Sequence, residues 1–197
     1  MVSNTDYLEI LKESKAILKG HFILSSGLHS DTYIQCAQIF TNPKLAETLC
    51  NDLAKKIKAQ ITTPIDYVVA PAMGGVIIGY EIARQLGVKS IFCERVDGVF
   101  EFRRGFNLNP SDNVLIVEDV ITTGKSSLET VSAINKYGAT ILAEACMIDR
   151  RPIKEALDNI SIISLIELNV ETFDENNTPN KLQNIPAIKP GSRFLKT

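Results

Sequence analysis

The sequence predicts an α/β protein in which a central parallel sheet is flanked by helices. Two stretches, 67–93 and 114–148, share one order of elements: an apolar strand, a loop, a helix ended by glycine, and a second strand. Their strands are continuously apolar, which is typical of strands covered on both faces. Two such strand–helix–strand units favour a right-handed parallel sheet with helices on both sides.

Length and composition are those of a soluble globular protein with one domain. The chain has 197 residues, of which 45% are hydrophobic and 22% charged, and its formal net charge is −2. Without a basic excess no nucleic-acid partner is expected, and the apolar runs are too short to cross a membrane. The four cysteines form no C-x-x-C pair, which favours reduced thiols and a cytoplasmic location.

The amino-terminal elements are a helix followed by two short strands. Apolar residues recur with helical spacing over 5–18, and Gly20 is typical of the position just beyond a helix. Strands over 21–24 and 33–36 flank a turn at 25–28. A helix and a small strand pair are therefore expected ahead of the repeated units.

A second helix begins at Asn42-Pro43. Asparagine is a favoured cap, and proline is a favoured first residue of a helix. Apolar residues then recur every four positions, at Leu45, Leu49, Leu53 and Ile57. This spacing predicts an amphipathic helix.

The repeated units come next. The first has a strand at 67–70, a glycine-containing loop at 71–75, a helix ended by Gly87 and a strand at 88–93. The second has a strand at 114–117, a loop, a helix ended by Gly138 and a strand at 139–148. Beyond them we expect a short helix after Arg151-Pro152, a strand at 160–166 and a polar, irregular tail over 171–197.

Ligands of open parallel sheets bind outside the carboxyl ends of the strands. Three segments of this chain occupy that edge: 71–75, 118–126, and Asp149-Arg150. The chemistry of the protein is therefore predicted there.

The segment 118–126 combines two kinds of group. Glu118 and Asp119 end a strand, and a small, hydroxylated, glycine-containing loop then opens a helix. Backbone N–H groups at a helix N-terminus, with threonine and serine hydroxyls, form a receptor for a phosphate monoester. The carboxylates would repel that phosphate, but they suit vicinal hydroxyls or the water shell of a magnesium ion. A phosphorylated ribose has both groups.

Gly124-Lys125-Ser126 imitates the end of a nucleotide-binding P-loop. That motif needs glycine five positions before Gly124, where this chain has Asp119. Because a carboxylate there would repel the nucleotide phosphates, the sequence argues against an NTPase.

The stretch from Val114 to Ser126 resembles the phosphoribosyl diphosphate (PRPP) signature of the type I phosphoribosyltransferases. Four apolar residues, two acids, two apolar residues and Thr-Thr-Gly follow one another, and Lys125 stands where a small residue is commoner. The resemblance implies the type I phosphoribosyltransferase fold in a single domain. Its core would cover roughly 41–167, and a small hood would form mainly from 1–40 and 168–197.

Three further segments resemble the orotate-specific branch of that family. Residues 20–33 are similar to its hood, with matches at Ser26, Gly27, Ser30 and Tyr33, and 71–76 resembles its pyrophosphate loop, with Gly74 where a lysine is common. Arg150 aligns with the arginine that binds the orotate carboxylate, and a planar guanidinium suits that role. The segment from Pro186 to Arg193 resembles the carboxyl terminus of the family.

The resemblance implies a set of binding residues. Magnesium would be held mainly by PRPP and water, with no metal ligands from the protein. Orotate would be bound by Thr122, Arg150, Ser26 and Tyr33. PRPP would be bound by Glu118, Asp119, Val120, Ile121, Thr122, Thr123, Gly124, Lys125, Ser126, Met73 and Gly74.

Residues 94–106 occupy the place of the mobile lid in the family. That lid closes over PRPP, often from the neighbouring subunit of a homodimer, and its common lysine and histidine are absent here. We expect Arg95, Arg103 and Arg104 to supply the catalytic cations instead, together with Glu118 and Asp119 near the reacting carbon.

The implied reaction transfers the 5-phosphoribosyl group of PRPP to orotate, giving orotidine 5′-monophosphate and pyrophosphate in pyrimidine biosynthesis. Two alternatives stay open from the residues: a phosphoribosyltransferase for a purine or uracil, and a PRPP-binding regulator without turnover.

Overall fold

The computed structural model describes residues 4–24 and 27–190. Its elements in chain order are α1 (Asn4–Glu13), β1 (Ile17–Ile23), β2 (His29–Ile34), a 3-10 helix (Cys36–Thr41), α2 (Pro43–Gln60), β3 (Tyr67–Pro71), α3 (Gly74–Leu86), β4 (Lys89–Val96), β5 (Val99–Phe102), β6 (Asn113–Ile121), α4 (Lys125–Asn135), β7 (Thr140–Asp149), β8 (Ile162–Glu167), a second 3-10 helix (Glu175–Asn177) and α5 (Asn180–Gln183). No helix in the described part of the chain is long and apolar enough to span a membrane.

The chain divides into two units. One joins the terminal segments, Met1–Gln38 and Asn169–Thr197, and the other is Ile39–Leu168. That both act as one functional domain stays a prediction.

In the first unit α1 ends five residues earlier than predicted. Lys15 adopts the left-handed conformation with φ 56°. Its N–H donates to the Lys12 carbonyl, and the Ala16 N–H donates to the Leu11 carbonyl. This pair of bonds is a Schellman motif, which ends the helix without the glycine that usually marks it. The prediction that the helix continues to Leu18 was therefore wrong, since that residue lies in β1.

Strands β1 and β2 form an antiparallel pair, with Ile17 opposite Ile34 and Ile23 opposite His29. The carboxyl-terminal tail adds one isolated bridge to each strand, Phe22 with Ile188 and His29 with Phe173. Two short helical turns interrupt this otherwise irregular tail.

The second unit contains a six-stranded sheet in the order β5-β4-β3-β6-β7-β8. Every neighbouring pair is parallel except β4 and β5. The two predicted strand–helix–strand units are β3-α3-β4 and β6-α4-β7, so the predicted α/β class with a central parallel sheet is confirmed. The central strands are covered on both faces, as Val68, Val69, Leu115 and Ile116 are fully buried.

Helix α2 begins where the sequence predicts. The Asn42 side chain accepts hydrogen bonds from the N–H groups of Lys44 and Leu45 at 3.2 Å. Leu49, Leu53 and Ile57 are buried. The cap and the apolar spacing therefore act together to fix this helix.

No helix forms in 151–161, contrary to the prediction of a short helix after Arg151-Pro152. Leu157 and Ile160 instead form a two-residue hairpin turn, with backbone hydrogen bonds of 3.0 and 2.9 Å in the two directions. Asp158 and Asn159 have φ of 51° and 64°. Aspartate and asparagine tolerate this left-handed conformation better than most residues, which explains why the chain forms this turn and not a helix.

Candidate active site

Three segments of the second unit meet at the carboxyl edge of the sheet, as predicted. The turn between β3 and α3 lies against the end of β6, because a Cβ added at Gly74 would be 2.8 Å from the Asp119 carboxylate oxygens. The end of β7 joins them, since the Arg150 N–H donates to the Ile121 carbonyl at 2.9 Å.

The two acids of the candidate site lie within β6, not in the loop after it. The strand continues to Ile121 and keeps its pairing with β7 throughout. Successive side chains of a strand point to opposite faces. Glu118 therefore points to the face covered by α4, where the Ser127 hydroxyl donates to its Oε2 at 3.4 Å. Asp119 points to the other face, towards Gly74.

Burial raises the pKa of both carboxyl groups. For Glu118 the pKa lies well above its ordinary range, because burial is reinforced by the negative charges of Glu144 and Asp119. The hydrogen bond from Ser127 and the charge of Arg95 oppose this increase. For Asp119, burial outweighs the hydrogen bond that its Oδ1 accepts from the Val120 N–H at 2.9 Å. Both acids lie in surroundings of low polarity, where hydrogen bonds to a ligand are strong.

The loop Thr122-Thr123-Gly124 links β6 to the first turn of α4. Gly124 has φ 77°, a conformation that suits glycine, and it begins the helix at Lys125. Thr122, Thr123 and Lys125 are exposed. The Lys125 N–H donates to Thr123 Oγ1 at 3.4 Å, and the first turn of the helix follows a loop that is open to solvent. The predicted phosphate receptor in this loop stays a prediction.

Gly124 is also in close contact with the turn at 157–160. A Cβ at this position would lie 2.6 Å from Leu157 Cδ2. Two independent features therefore require glycine at position 124: the left-handed backbone conformation and the close contact with Leu157.

The neighbouring arginines after β7 differ in their surroundings. Arg151 is buried, and its guanidinium forms a two-point ion pair with Asp149, at 3.1 Å from Nε to Oδ1 and 2.8 Å from Nη2 to Oδ2. Lys154 lies 3.3 Å from the same carboxylate. Arg150 is partly exposed at the carboxyl edge of the sheet, and its predicted role in binding the orotate carboxylate stays a prediction.

The predicted lid begins as a β-hairpin. Strands β4 and β5 pair with Arg95 opposite Phe100, around a turn at Asp97-Gly98 with φ of 48° and 87°. The Arg95 guanidinium lies 4.2 Å from the centre of the Phe100 ring, donates to the Gly98 carbonyl at 2.8 Å and forms an ion pair with Glu129 of α4.

The other two arginines of the predicted lid, Arg103 and Arg104, lie in a tight turn after β5. The Phe106 N–H donates to the Arg103 carbonyl at 2.9 Å across this turn. Arg104 has φ 58° and pairs with Glu94 at 3.1 Å, while Arg103 is exposed. The structure therefore brings Arg95 to α4 and Arg104 to the hairpin's own acid.

Met73 lies in the turn before α3 and is 84% exposed. In the first unit, the Tyr33 ring of β2 packs against Phe22 with 5.7 Å between ring centres. Ser26, the other predicted hood residue, lies outside the described residues. The predicted roles of all these residues in binding stay predictions.

Several residues of this site were not predicted. Glu129 pairs with Arg95, Ser127 bonds to Glu118, and Glu144 is buried in β7 behind them. Only Glu144 had a signal in the sequence, since it is a charged residue inside a run of apolar and small residues.

Comparison with known proteins gives consistent matches. The family described as "Phosphoribosyl transferase domain" matches residues 36–184. The orotate phosphoribosyltransferase of Maricaulis maris is 47% identical over 190 residues, covering 95% of this chain and 97% of the relative. That of Bartonella tribocorum is 48% identical over 194 residues, covering 98% and 100%. The crystal structure of the orotate phosphoribosyltransferase from Aeropyrum pernix has a TM-score of 0.68 at 23% identity, covering 81% of this chain and 92% of that one.

Proposed function

Since the chain belongs to the orotate phosphoribosyltransferases of the phosphoribosyltransferase family, we propose that it transfers the 5-phosphoribosyl group of PRPP to N1 of orotate. The products are orotidine 5′-monophosphate and pyrophosphate, in the de novo synthesis of UMP. The observation that carries this proposal is the near full-length identity of 47–48% to orotate phosphoribosyltransferases. The acids and the phosphate loop at the sheet edge are the supporting geometry.

Binding of the 5′-phosphate is assigned to the loop from Val120 to Ser126, with Met73 and Gly74 on the pyrophosphate side. Its support is the run of backbone N–H groups at the start of α4 and the open conformation given by Gly124. Anchoring the phosphate, which is remote from the reacting carbon, fixes the ribose against the rest of the site.

Glu118 and Asp119 receive the ribose hydroxyls. Their carboxylates leave the strand on opposite faces, so they approach the sugar from two sides. The surroundings of both carboxyl groups are weakly polar, and hydrogen bonds from the ribose hydroxyls are stronger there than in water. Their negative charge lies near the anomeric carbon, where positive charge develops as pyrophosphate leaves.

Orotate binding is assigned to Arg150 and Thr122, with Ser26 and Tyr33 from the hood. The different surroundings of the two arginines support the choice of Arg150. Arg151 forms a buried two-point pair with Asp149, and moving it to a ligand would break that pair and leave Lys154, at 3.3 Å, as the cation beside the carboxylate.

Magnesium is assigned to the substrate. Within the described residues no group of three or more histidines, cysteines or acids is placed to hold a metal ion. Glu118 and Asp119 diverge on the strand, which fits a cation carried by PRPP oxygens and water better than one held by a protein ligand set. When bound, magnesium neutralises charge on the departing pyrophosphate.

Homodimerisation and a cytoplasmic location complete the proposal. An apolar face of α3 supports the dimer, because Ile77 and Tyr80 are 57% and 66% exposed beside Met73. In that dimer the hairpin and turn over 94–106 close over the partner's PRPP with Arg95, Arg103 and Arg104. The four cysteines are free and buried, in keeping with a reducing compartment.

An assay of PRPP consumption with four bases tests this function. Orotate should support pyrophosphate release, whereas adenine, hypoxanthine and uracil should not. Release with a purine but not with orotate would establish the alternative base. Binding of PRPP and orotate with magnesium, but without any pyrophosphate in a single-turnover experiment, would establish the non-catalytic regulator.

A further inference from the structure

Glu144 is a buried carboxyl group that the proposed reaction does not use. Its side chain is 0% exposed in the middle of β7, and neither oxygen has a hydrogen-bond partner within the described residues. Burying a carboxyl without partners is costly, and far more so when it is charged. A group of this kind in a sheet interior calls for a physical explanation.

The register of the sheet places Glu144 beside Glu118. Ile116 lies opposite Glu144, and Glu118 lies opposite Cys146, so both acids share the face covered by α4. From strand spacing and rise, their Cα atoms are roughly 8 Å apart, which leaves the two carboxyl groups within reach of one short side chain.

Ser127 is that short side chain. It is fully buried in the first turn of α4, and its hydroxyl donates to Glu118 Oε2 at 3.4 Å. It lies close enough to Glu144 to lower the pKa of that carboxyl as well. A serine hydroxyl has one proton to donate and two lone pairs to accept with. Once the proton points to Glu118, the lone pairs are left for a donor on the opposite side.

We propose that Glu144 is a positioning residue, whose neutral carboxyl group donates to Ser127 and thereby holds the Glu118 carboxylate in place for the ribose hydroxyls. In this arrangement the Glu144 acid proton goes to Ser127 Oγ, and the Ser127 proton goes to Glu118 Oε2. The inference rests on the proposed function, because Glu118 is assigned there to the sugar.

The exposure of the two acids favours a proton on Glu144, because Glu144 is fully buried whereas Glu118 is partly exposed. Burial raises the pKa of Glu144 to about 7 and that of Glu118 well above its ordinary value, and a charge on Glu144 disfavours a charge on Glu118. The other charged or titratable groups that act on the pair are Arg95, Asp119, Cys146, Asp149 and Arg151.

Three variants test the role of Glu144. Glu144→Gln keeps a neutral donor of the same shape, Glu144→Leu keeps the volume without a donor, and Ser127→Ala removes the intermediate hydroxyl. We expect Glu144→Gln to retain turnover at pH 7, and the other two to lose about tenfold in kcat, since each removes one buried hydrogen bond. The KM for orotate should stay unchanged in all three.

A double variant separates this role from a structural one. Because Glu144 acts through Ser127, the Ser127→Ala/Glu144→Leu protein should lose no more than either single variant. Ser132→Ala is the matched control, since it removes an exposed hydroxyl of α4 that bonds only to its own helix at Leu128. It should leave turnover unchanged, and urea unfolding should show every variant folded.

Three results would overturn the proposal: normal kcat in Glu144→Leu, equal losses in Glu144→Gln and Glu144→Leu, or losses that multiply in the double variant. Calorimetry of PRPP binding, in the presence of magnesium, keeps the test independent of orotate turnover. If the unaltered protein binds PRPP but does not use orotate, the proposed function fails. Weaker PRPP binding in Glu144→Leu than in Glu144→Gln would still support the inference, and equal binding would refute it.

Discussion

Replacing Glu144 by glutamine should raise the free energy of unfolding, relative to the unaltered protein, more at alkaline pH than at acidic pH. The pKa of this carboxyl is raised from its ordinary 4.5 to about 7, mainly because burial disfavours the charged form. Between these two values the unfolded chain ionises Glu144 while the folded protein keeps the proton. The stability that this proton represents is present in full below pH 4.5 and is lost as the pH rises through about 7.

The size of the effect follows from the same two values. A pKa difference of about 2.5 corresponds to roughly 3 kcal/mol of unfolding free energy, at about 1.4 kcal/mol per tenfold change. Glutamine stays neutral at every pH, so the variant does not lose this unfolding free energy as the pH rises. The difference in stability between variant and unaltered protein should therefore grow by roughly 3 kcal/mol from pH 4.5 to pH 8. Groups with lowered pKa, such as Asp31 and Glu81, destabilise both proteins on acidification and cancel in the difference.

Urea unfolding at several pH values, followed by circular dichroism under reducing conditions, measures this difference. Glu9→Gln is the control, because it removes an exposed acid of α1 and should leave the pH dependence unchanged. A stability difference for Glu144→Gln that stays constant between pH 4.5 and pH 8 would refute the reasoning. It would mean that the buried carboxyl is ionised in the folded protein across this range.

Three other predictions concern the site. Gly124→Ala should abolish PRPP binding in calorimetry, because φ 77° and the contact with Leu157 both exclude a Cβ. Gly87→Ala is the control: its φ is 75° but the space around it is open, so urea unfolding should show a loss of only about 1 kcal/mol. Arg151→Ala should cost about 3 kcal/mol of stability, because it removes the two-point partner of the buried Asp149 and leaves Lys154 as the cation beside that carboxylate. Arg150→Ala should raise the KM for orotate far more than that for PRPP, and equal changes in both KM values would contradict the assignment. Asp119→Asn should cut kcat in a folded protein, and near-normal rates would remove this residue from the mechanism.

The repeated strand–helix–strand units were predictable because their signals are local and strong. Continuous apolar runs predict buried strands, and Gly87 and Gly138 end the preceding helices in the left-handed conformation. The loop between β6 and α4 was predictable for a similar reason, since its hydroxylated residues and Gly124 can be recognised from their spacing, while its binding of phosphate stays a prediction. Neither inference needed information about distant parts of the chain.

The end of α1 could not be predicted because a less common residue performs the role of glycine. Lys15 takes the left-handed conformation, and the buried pair Leu11 and Ala16 stabilises the motif from the apolar side. Tertiary packing therefore compensates for the free energy that a residue other than glycine loses in the left-handed conformation. The same holds at Asp158 and Asn159, where a turn replaced the expected helix.

The partners of the site residues were beyond prediction for a different reason. Glu118 and Ser127 are nine positions apart, but Glu144 reaches them only through the register of β6 on β7. That register includes a shift between Val114 and Leu115, which changes which residues of β7 face α4. One residue of slip would turn Glu144 to the other face, so no sequence pattern fixes its neighbour.

The net charge of −2 is compatible with the proposed binding of two anionic substrates, because two of the three arginines in 94–106 already form ion pairs with acids of this chain. Arg95 pairs with Glu129 of α4, and Arg104 pairs with Glu94 of the hairpin. If these two arginines bind pyrophosphate as proposed, each guanidinium exchanges one anion for another and is never left without a partner. Such an exchange costs less than burying a new charge, since the arginine is partnered in both states. The carboxylates released by the exchange, those of Glu129 and Glu94, are partly exposed, so water can solvate them. Before a substrate binds, the same two acids hold the Arg95 and Arg104 side chains in place.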